Sequence, residues 1–159
     1  MKYAVAVLTI SNQGSKSESS DKCGKIIIEM LKAHSFEVVK YEIIPSEFSL
    51  IKEKLIKYSD ELRVNMILTS GGTGFSSWDI TPEATEEVIE KKVPGIPEAM
   101  RSEGFKSTKK AMLSRNIAGI RGKTLIINLP GSSRGVQESL EAVIEELSRG
   151  LNMILRIQN

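Results

Sequence analysis

Apolar positions along the chain come in blocks whose period changes from element to element. Tyr3 to Ile10 (YAVAVLTI) is an unbroken β-rich apolar run, the pattern of a strand covered on both faces. A polar loop from Ser11 to Ser20 follows. Then Cys23, Ile26, Ile27, Met30 and Leu31 recur at helical spacing with Lys22, Lys25, Glu29 and Lys32 between them, which predicts an amphipathic helix. Phe36 to Ile44 reads as a second strand, Leu50, Ile51, Leu55, Ile56 and Leu62 resume the helical period, and Val64 to Thr69 is another buried strand.

Thr81-Pro82-Glu83 is a helix start, because Thr can cap free N–H groups, Pro fits the first turn and Glu favours the positive end; the helix is expected to run to about Lys91. Another helix is expected from near Pro97. An Arg121-Gly122 turn precedes the apolar run Thr124 to Leu129, and Ser132 to Ile157 is strongly helical. Strands alternating with helices predict an α/β fold with a mostly parallel sheet, helices on both of its faces and ligands at the carboxyl ends of the strands.

Composition narrows this picture without sharpening it. A chain of 159 residues, 40% hydrophobic and 26% charged, is that of a single globular domain able to bury its core without disulfides. The net charge of +2, with lysines scattered through helical segments, leaves no footprint for nucleic acid; Lys106 to Lys110 is locally basic, the pattern of a solvated face. One cysteine, Cys23, and one histidine, His34, exclude an internal disulfide and a zinc site of several Cys or His ligands, in keeping with a reducing cytoplasm. No stretch approaches membrane-spanning length, and the N-terminal run has no small-residue cleavage pattern.

The segment most informative about chemistry is Thr69-Ser70-Gly71-Gly72-Thr73-Gly74, a Gly-rich loop directly after a strand. It lacks the Gly-Lys-Ser/Thr ending of a Walker A loop and the glycine spacing of a dinucleotide fingerprint. Alone, it is read equally as a tight turn or as a cradle in which backbone approaches phosphate. Asp79, five residues beyond Gly74, favours the cradle, since a carboxylate there can hold Mg²⁺ beside bound phosphates; the plainer alternative is a loop brace.

Two more loops open at the same edge. Ser11-Asn12-Gln13-Gly14 through Asp21 follows the first strand, and Asn128-Leu129-Pro130-Gly131-Ser132 ends the last; Ser132 can cap the final helix and present its N–H groups to an anion, although by itself this loop reads first as an ordinary strand-to-helix turn. Arg115, beside Ser114, can clamp a phosphate or a planar ring, although a surface salt bridge is the commoner fate of such a residue. Trp78 can stack on a flat ring, cover a pocket wall or lie in an oligomer interface.

Taken together, Ser70-Gly71-Gly72-Thr73-Gly74-Phe75, Asp79-Ile80-Thr81-Pro82-Glu83-Ala84-Thr85, Pro94-Gly95, Met112-Leu113-Ser114-Arg115 and Leu125-Ile126-Ile127-Asn128-Leu129-Pro130-Gly131 closely resemble the MogA/MoaB molybdopterin adenylyltransferase family, to which the gephyrin amino-terminal domain is also similar. The resemblance spans nearly the whole chain. It implies a three-layer α/β fold, commonly trimeric, that binds molybdopterin and Mg-ATP, transfers AMP to the pterin's terminal phosphate, releases pyrophosphate and hands the product to a molybdate-insertion protein. By motif, it implies pterin contacts for Thr73, Ser114 and Asn128, a first-loop role for Ser11 and Asp21, and an essential acidic role for Asp79, the candidate metal ligand. Gly71, Gly72, Gly74, Arg115, Pro130, Gly131 and Ser132 complete the expected substrate site.

The chain departs from the family pattern at three places. Pro45 is followed by Ser46, where the family has a functionally important aspartate; Ser46 is expected to cap the next helix but carries no charge, and Glu47 is its acidic neighbour. Trp78 replaces an arginine, and Gly104 stands where some members have a pterin-contacting serine. A carrier that keeps the pocket without turnover, or a scaffold of the same fold, are the competing expectations.

Overall fold

The computed structural model describes residues 2–12 and 18–156. The strands are β1 (Tyr3–Ile10), β2 (Phe36–Ile44), β3 (Met66–Ser70), β4 (Lys91–Lys92), β5 (Ala118–Arg121) and β6 (Thr124–Leu129), and the α-helices are α1 (Lys22–Lys32), α2 (Phe48–Ile56), α3 (Thr81–Val88), α4 (Gly95–Ser107) and α5 (Ser133–Arg156). They build one six-stranded sheet in the order β2-β1-β3-β6-β5-β4. β1 pairs in parallel with β2 and β3, and β3 with β6, whereas β5 runs antiparallel to both β6 and β4.

Alternation along the strands sorts the core into two layers. Tyr3, Val5, Val7, Met66, Leu68, Leu125 and Ile127 pack with Cys23, Ile27 and Leu31 of α1, Met100 of α4 and Val136, Leu140, Ile144 and Leu147 of α5. Ala6, Leu8, Ile67 and Ile126 face the other way, onto Ile51 and Leu55 of α2 and Ala84 and Val88 of α3. The result is the expected three-layer α/β/α arrangement with a mostly parallel sheet. Among the described residues, no helix is long and apolar enough to cross a membrane.

The edge beyond β6 differs from the sequence-based expectation. Helix α3 stops at Val88 rather than near Lys91, because Ile89 is extended, and Lys91–Lys92 forms β4 against Ile120 and Gly119 of β5. Glu90 N and Val93 N donate to the carbonyls of Ile120 and Ala118, so this backbone satisfies its hydrogen bonds in the sheet instead of the helix. Gly119 permits the approach, since a Cβ there would lie 2.7 Å from the Lys91 carbonyl oxygen. Thr81 also departs from its expected capping role: it begins α3 with no side-chain cap at the preceding Ile80, and its hydroxyl donates to the Gly71 carbonyl at 2.9 Å. The last helix conforms to its expected bounds as far as Arg156; Ile157 lies outside the described residues.

Candidate functional site

Four parallel strands end at one edge of the sheet, and their loops are tied to one another there. Ser11, after β1, donates its amide to the Ile44 carbonyl at the end of β2. Gly71, after β3, donates to the Leu129 carbonyl at the end of β6, and Ser70 Oγ donates to the Pro130 carbonyl at 3.0 Å. The two Gly-containing loops meet at their glycines: a Cβ on Gly131 would sit 3.3 Å from Gly71 Cα. Gly71 and Gly72 have φ of +99° and +72°, the left-handed region that bends the chain sharply without steric cost only at glycine. Thr73, 5% exposed, is packed beneath this turn. Gln13 and Gly14 of the first loop lie outside the described residues.

Arg115 is the clasp of the Gly-rich loop rather than a free phosphate clamp. Its Nε donates to the Gly74 carbonyl at 2.8 Å, one terminal nitrogen to the Asp79 carbonyl at 2.7 Å, and the other to both carboxylate oxygens of Glu83. Its backbone amide donates to the Thr73 carbonyl at 2.9 Å. Glu83, hydrogen-bonded to the guanidinium, raises its pKa further, so the clasp stays charged. Gly74 to Asp79 is therefore held at both ends. Within that span Asp79 accepts the Ser76 amide at 2.9 Å and is only partly buried. Gly74 leaves room for this carboxylate, since a Cβ there would be 2.8 Å from Asp79 Oδ2.

Besides Thr73, two residues expected to touch substrate are enclosed. Asp21 is 1% exposed: it caps α1 through the Gly24 amide at 3.0 Å and accepts the hydroxyls of Thr9 at 2.7 Å and Tyr41 at 2.5 Å. Burial and that bond push the Tyr41 phenol well above its ordinary pKa, keeping it a donor. Asn128 is fully buried, donating to Thr69 Oγ1 and Thr85 Oγ1 at 3.0 Å each and accepting the Ile117 amide at 3.3 Å. Burial without these partners would cost each polar group dearly, so both residues brace the site from below. Ser46 does not cap α2, whose N-cap is Glu47; its hydroxyl donates to the Trp78 carbonyl.

On the α4/α5 side of the same edge lies a cleft of about 230 Å³ lined by Arg101, Gly104, Lys110, Ser114, Asn116, Pro130, Ser132 and Arg134. Ser132 caps α5 through the Gly135 amide at 3.1 Å, so the cleft includes the positive end of a 24-residue helix. Ser114 Oγ donates to Asn116 Oδ1 at 2.9 Å, and Arg101 holds the same oxygen at 2.7 Å together with the Ser114 and Asn116 carbonyls. Sequence reasoning found Ser114, Pro130 and Ser132 but missed Arg101 and Asn116. The one signal for Arg101 was a charged residue beside Met100 on a helix flank that also buries Pro97 and Gly104.

The site is thus bipartite: a cleft with mostly apolar walls and a helix N-terminus on one side, the Gly-rich loop with Asp79 on the other, joined where Gly131 meets Gly71. Among the described residues no group of three or more His, Cys, Asp or Glu could hold a metal by itself. Asp79 fits Mg²⁺ in its usual mode, one or two carboxylates with substrate phosphates supplying the rest.

Known proteins resemble this chain over most of its length. A molybdopterin adenylyltransferase of Helicobacter pylori is 43% identical over 153 residues, covering 95% of this chain and 87% of that protein. The molybdopterin adenylyltransferase of Escherichia coli K12 is 34% identical over 141 residues, 87% of this chain and 72% of its own length. The crystal structure of the molybdopterin biosynthesis enzyme MoaB from Thermus thermophilus matches with a TM-score of 0.89 at 45% identity, covering 96% of each chain. With residues 6–149 matched by the family described as a probable molybdopterin binding domain, the chain belongs to that family.

Proposed function

We propose that this protein adenylylates molybdopterin in molybdenum cofactor biosynthesis, using Mg-ATP and releasing pyrophosphate. The observation that carries the reading is the contact of Gly131 with Gly71, which sets the cleft at the start of α5 and the Gly-rich turn side by side. The pterin occupies the cleft, with Ser114 and Arg101 on its wall and the buried Asn116 holding both in place, and its phosphate lies at Ser132 and the N-terminus of α5. The nucleotide phosphates lie at the Gly71–Gly74 turn beside Asp79, whose carboxylate takes the space that a Cβ on Gly74 would fill.

In the reaction a terminal phosphate oxygen of the pterin attacks the α-phosphorus of ATP, a new P–O–P linkage forms, and the α–β bond breaks with pyrophosphate as leaving group. Such a transfer needs little covalent help, so the protein's task is to hold two anions in line. Asp79 is the residue that would hold Mg²⁺, which supplies charge neutralisation on the phosphates. Arg115 keeps the Gly74–Asp79 span rigid, and Asn128 and Asp21 hold the strands beneath it. The chain acts as a homotrimer in the cytoplasm and passes its product to a molybdate-insertion protein.

The test is an anaerobic assay with molybdopterin and Mg-ATP, following adenylylated product and pyrophosphate over several enzyme equivalents. Multiple turnovers are expected, and Asp79→Asn is expected to lower the rate by about a hundredfold or more. Full activity in that variant removes Asp79 from the mechanism. Sedimentation of the purified protein should give the mass of three chains, and a monomer would rule out the trimer. A second reading, a carrier without turnover, is favoured by the absence of a carboxylate at Ser46; tight pterin binding with no product would establish it.

A further inference from the structure

Asp79 is held in place by hydrogen bonds on both sides of its Cα. Its own carbonyl accepts Arg115 at 2.7 Å, and the carbonyl of Trp78, which belongs to the peptide entering Asp79, accepts Ser46 Oγ at 2.5 Å. The carboxylate is then turned by the Ser76 amide at 2.9 Å. Ser46 is itself fixed, since its amide donates to Asn12 Oδ1 at 2.9 Å. This residue therefore links three loops at the carboxyl edge, those after β1, β2 and β3. We infer that Ser46 is a positioning residue that sets the Trp78–Asp79 peptide, and through it the carboxylate that receives Mg²⁺, by donating its hydroxyl proton to the Trp78 carbonyl.

The inference rests on the reading of Asp79 as the metal-holding residue and changes the meaning of the departure at Ser46. A carbonyl oxygen only accepts, so the group facing it must donate. Serine and threonine can; alanine cannot, and an ionised aspartate presents a negative oxygen to a negative end of a dipole. On this geometry the absent carboxylate is not a missing part that can be restored by substitution.

Trp78 supplies a readout independent of activity. It is the only tryptophan in the chain, 57% exposed, and adjacent to Asp79, so its fluorescence reports this loop alone. The experiment titrates Mg²⁺ in the presence of ATP, following Trp78 emission and, in parallel, the adenylylation rate, in the intact chain and in S46A, S46T and S46D. Loss of one hydrogen bond of ordinary net strength is expected to raise the half-saturating Mg²⁺ by about tenfold in S46A, with the pterin KM little moved. S46T is expected to restore the response and S46D to resemble or exceed S46A.

A Mg²⁺ response unchanged in S46A, or a rate raised in S46D, would overturn the positioning role while leaving the adenylyltransferase reading intact. No Mg-ATP response and no product from the unaltered chain would instead overturn the functional reading, and this inference with it. Should the unaltered chain respond to Mg-ATP without turning over, the fluorescence titration alone decides between S46A and S46T.

Discussion

Gly71 shows how much of the site rests on a single backbone position. Its φ of +99° strains any L side chain, and a Cβ would lie 2.4 Å from the Ile10 carbonyl oxygen. Gly122 has φ +56°, inside the left-handed region that L residues enter at modest cost, and a Cβ there would meet nothing within 4 Å, so it has neither the wider φ nor the clash. Gly122→Ala is expected to cost about 1 kcal/mol and Gly71→Ala clearly more, about 2–3 kcal/mol, in urea unfolding. Equal costs would show that both the wider φ and the Ile10 contact relax freely. Asn128 teaches the complementary lesson. Its residue type and place at the end of a strand suit a ligand contact, yet its amide is consumed by Thr69 and Thr85, which lie far from it in sequence.

Among elements, the join between β2 and α2 adds a charged cluster to the apolar packing of Ile44 with Ile51 and Leu55. Glu42 accepts the Tyr58 hydroxyl and Lys54 Nζ, the latter at 3.0 Å. Burial alone would raise the Glu42 pKa, but these two bonds outweigh it and hold the carboxyl below its ordinary value of 4.5. Tyr58, 1% exposed in the π-helical turn Lys57–Glu61 that follows α2, is pushed up by burial and by Glu42 and stays protonated. Because the folded pKa of Glu42 is the lower one, the stability it contributes is complete above pH 4.5 and is lost as the pH falls through the folded value. Urea midpoints measured from about pH 6 down to about pH 3 should therefore fall more gently in Glu42→Gln than in the unaltered chain. Parallel declines would remove this cluster from the acid limb.

At the scale of the whole molecule, the sheet is the shared wall of two cores, and its inner strands feel both. Ile67 on β3 is fully buried between β1 and β6 and packs toward α2 and α3. Ile67→Ala is expected to cost about 2–5 kcal/mol in urea unfolding, whereas Leu62→Ala, at a site 48% exposed, should stay within about 0.5 kcal/mol. Similar costs at the two sites would contradict the layer assignment. The same wall carries the site, for the loops after β1, β2, β3 and β6 meet only because those strands are parallel neighbours.

The elements and layers followed from the sequence alone wherever a run was long enough to show a period. The helices α1 and α5 present one, and β1, β3 and β6 show instead as unbroken apolar runs, because burial on one face or on both is a local demand on the sequence. The Gly-rich turn was legible for a similar reason, since a turn that needs glycine announces itself by composition. Only the tertiary structure decided β4, a two-residue strand too short to have a period and made by the edge of β5 that receives it. It also decided the roles of Asp21, Ser46, Arg115 and Asn128. A polar side chain becomes a brace, a clasp or a ligand contact according to which donor or acceptor lies within about 3 Å, and the chain brings those partners together from distant positions only on folding.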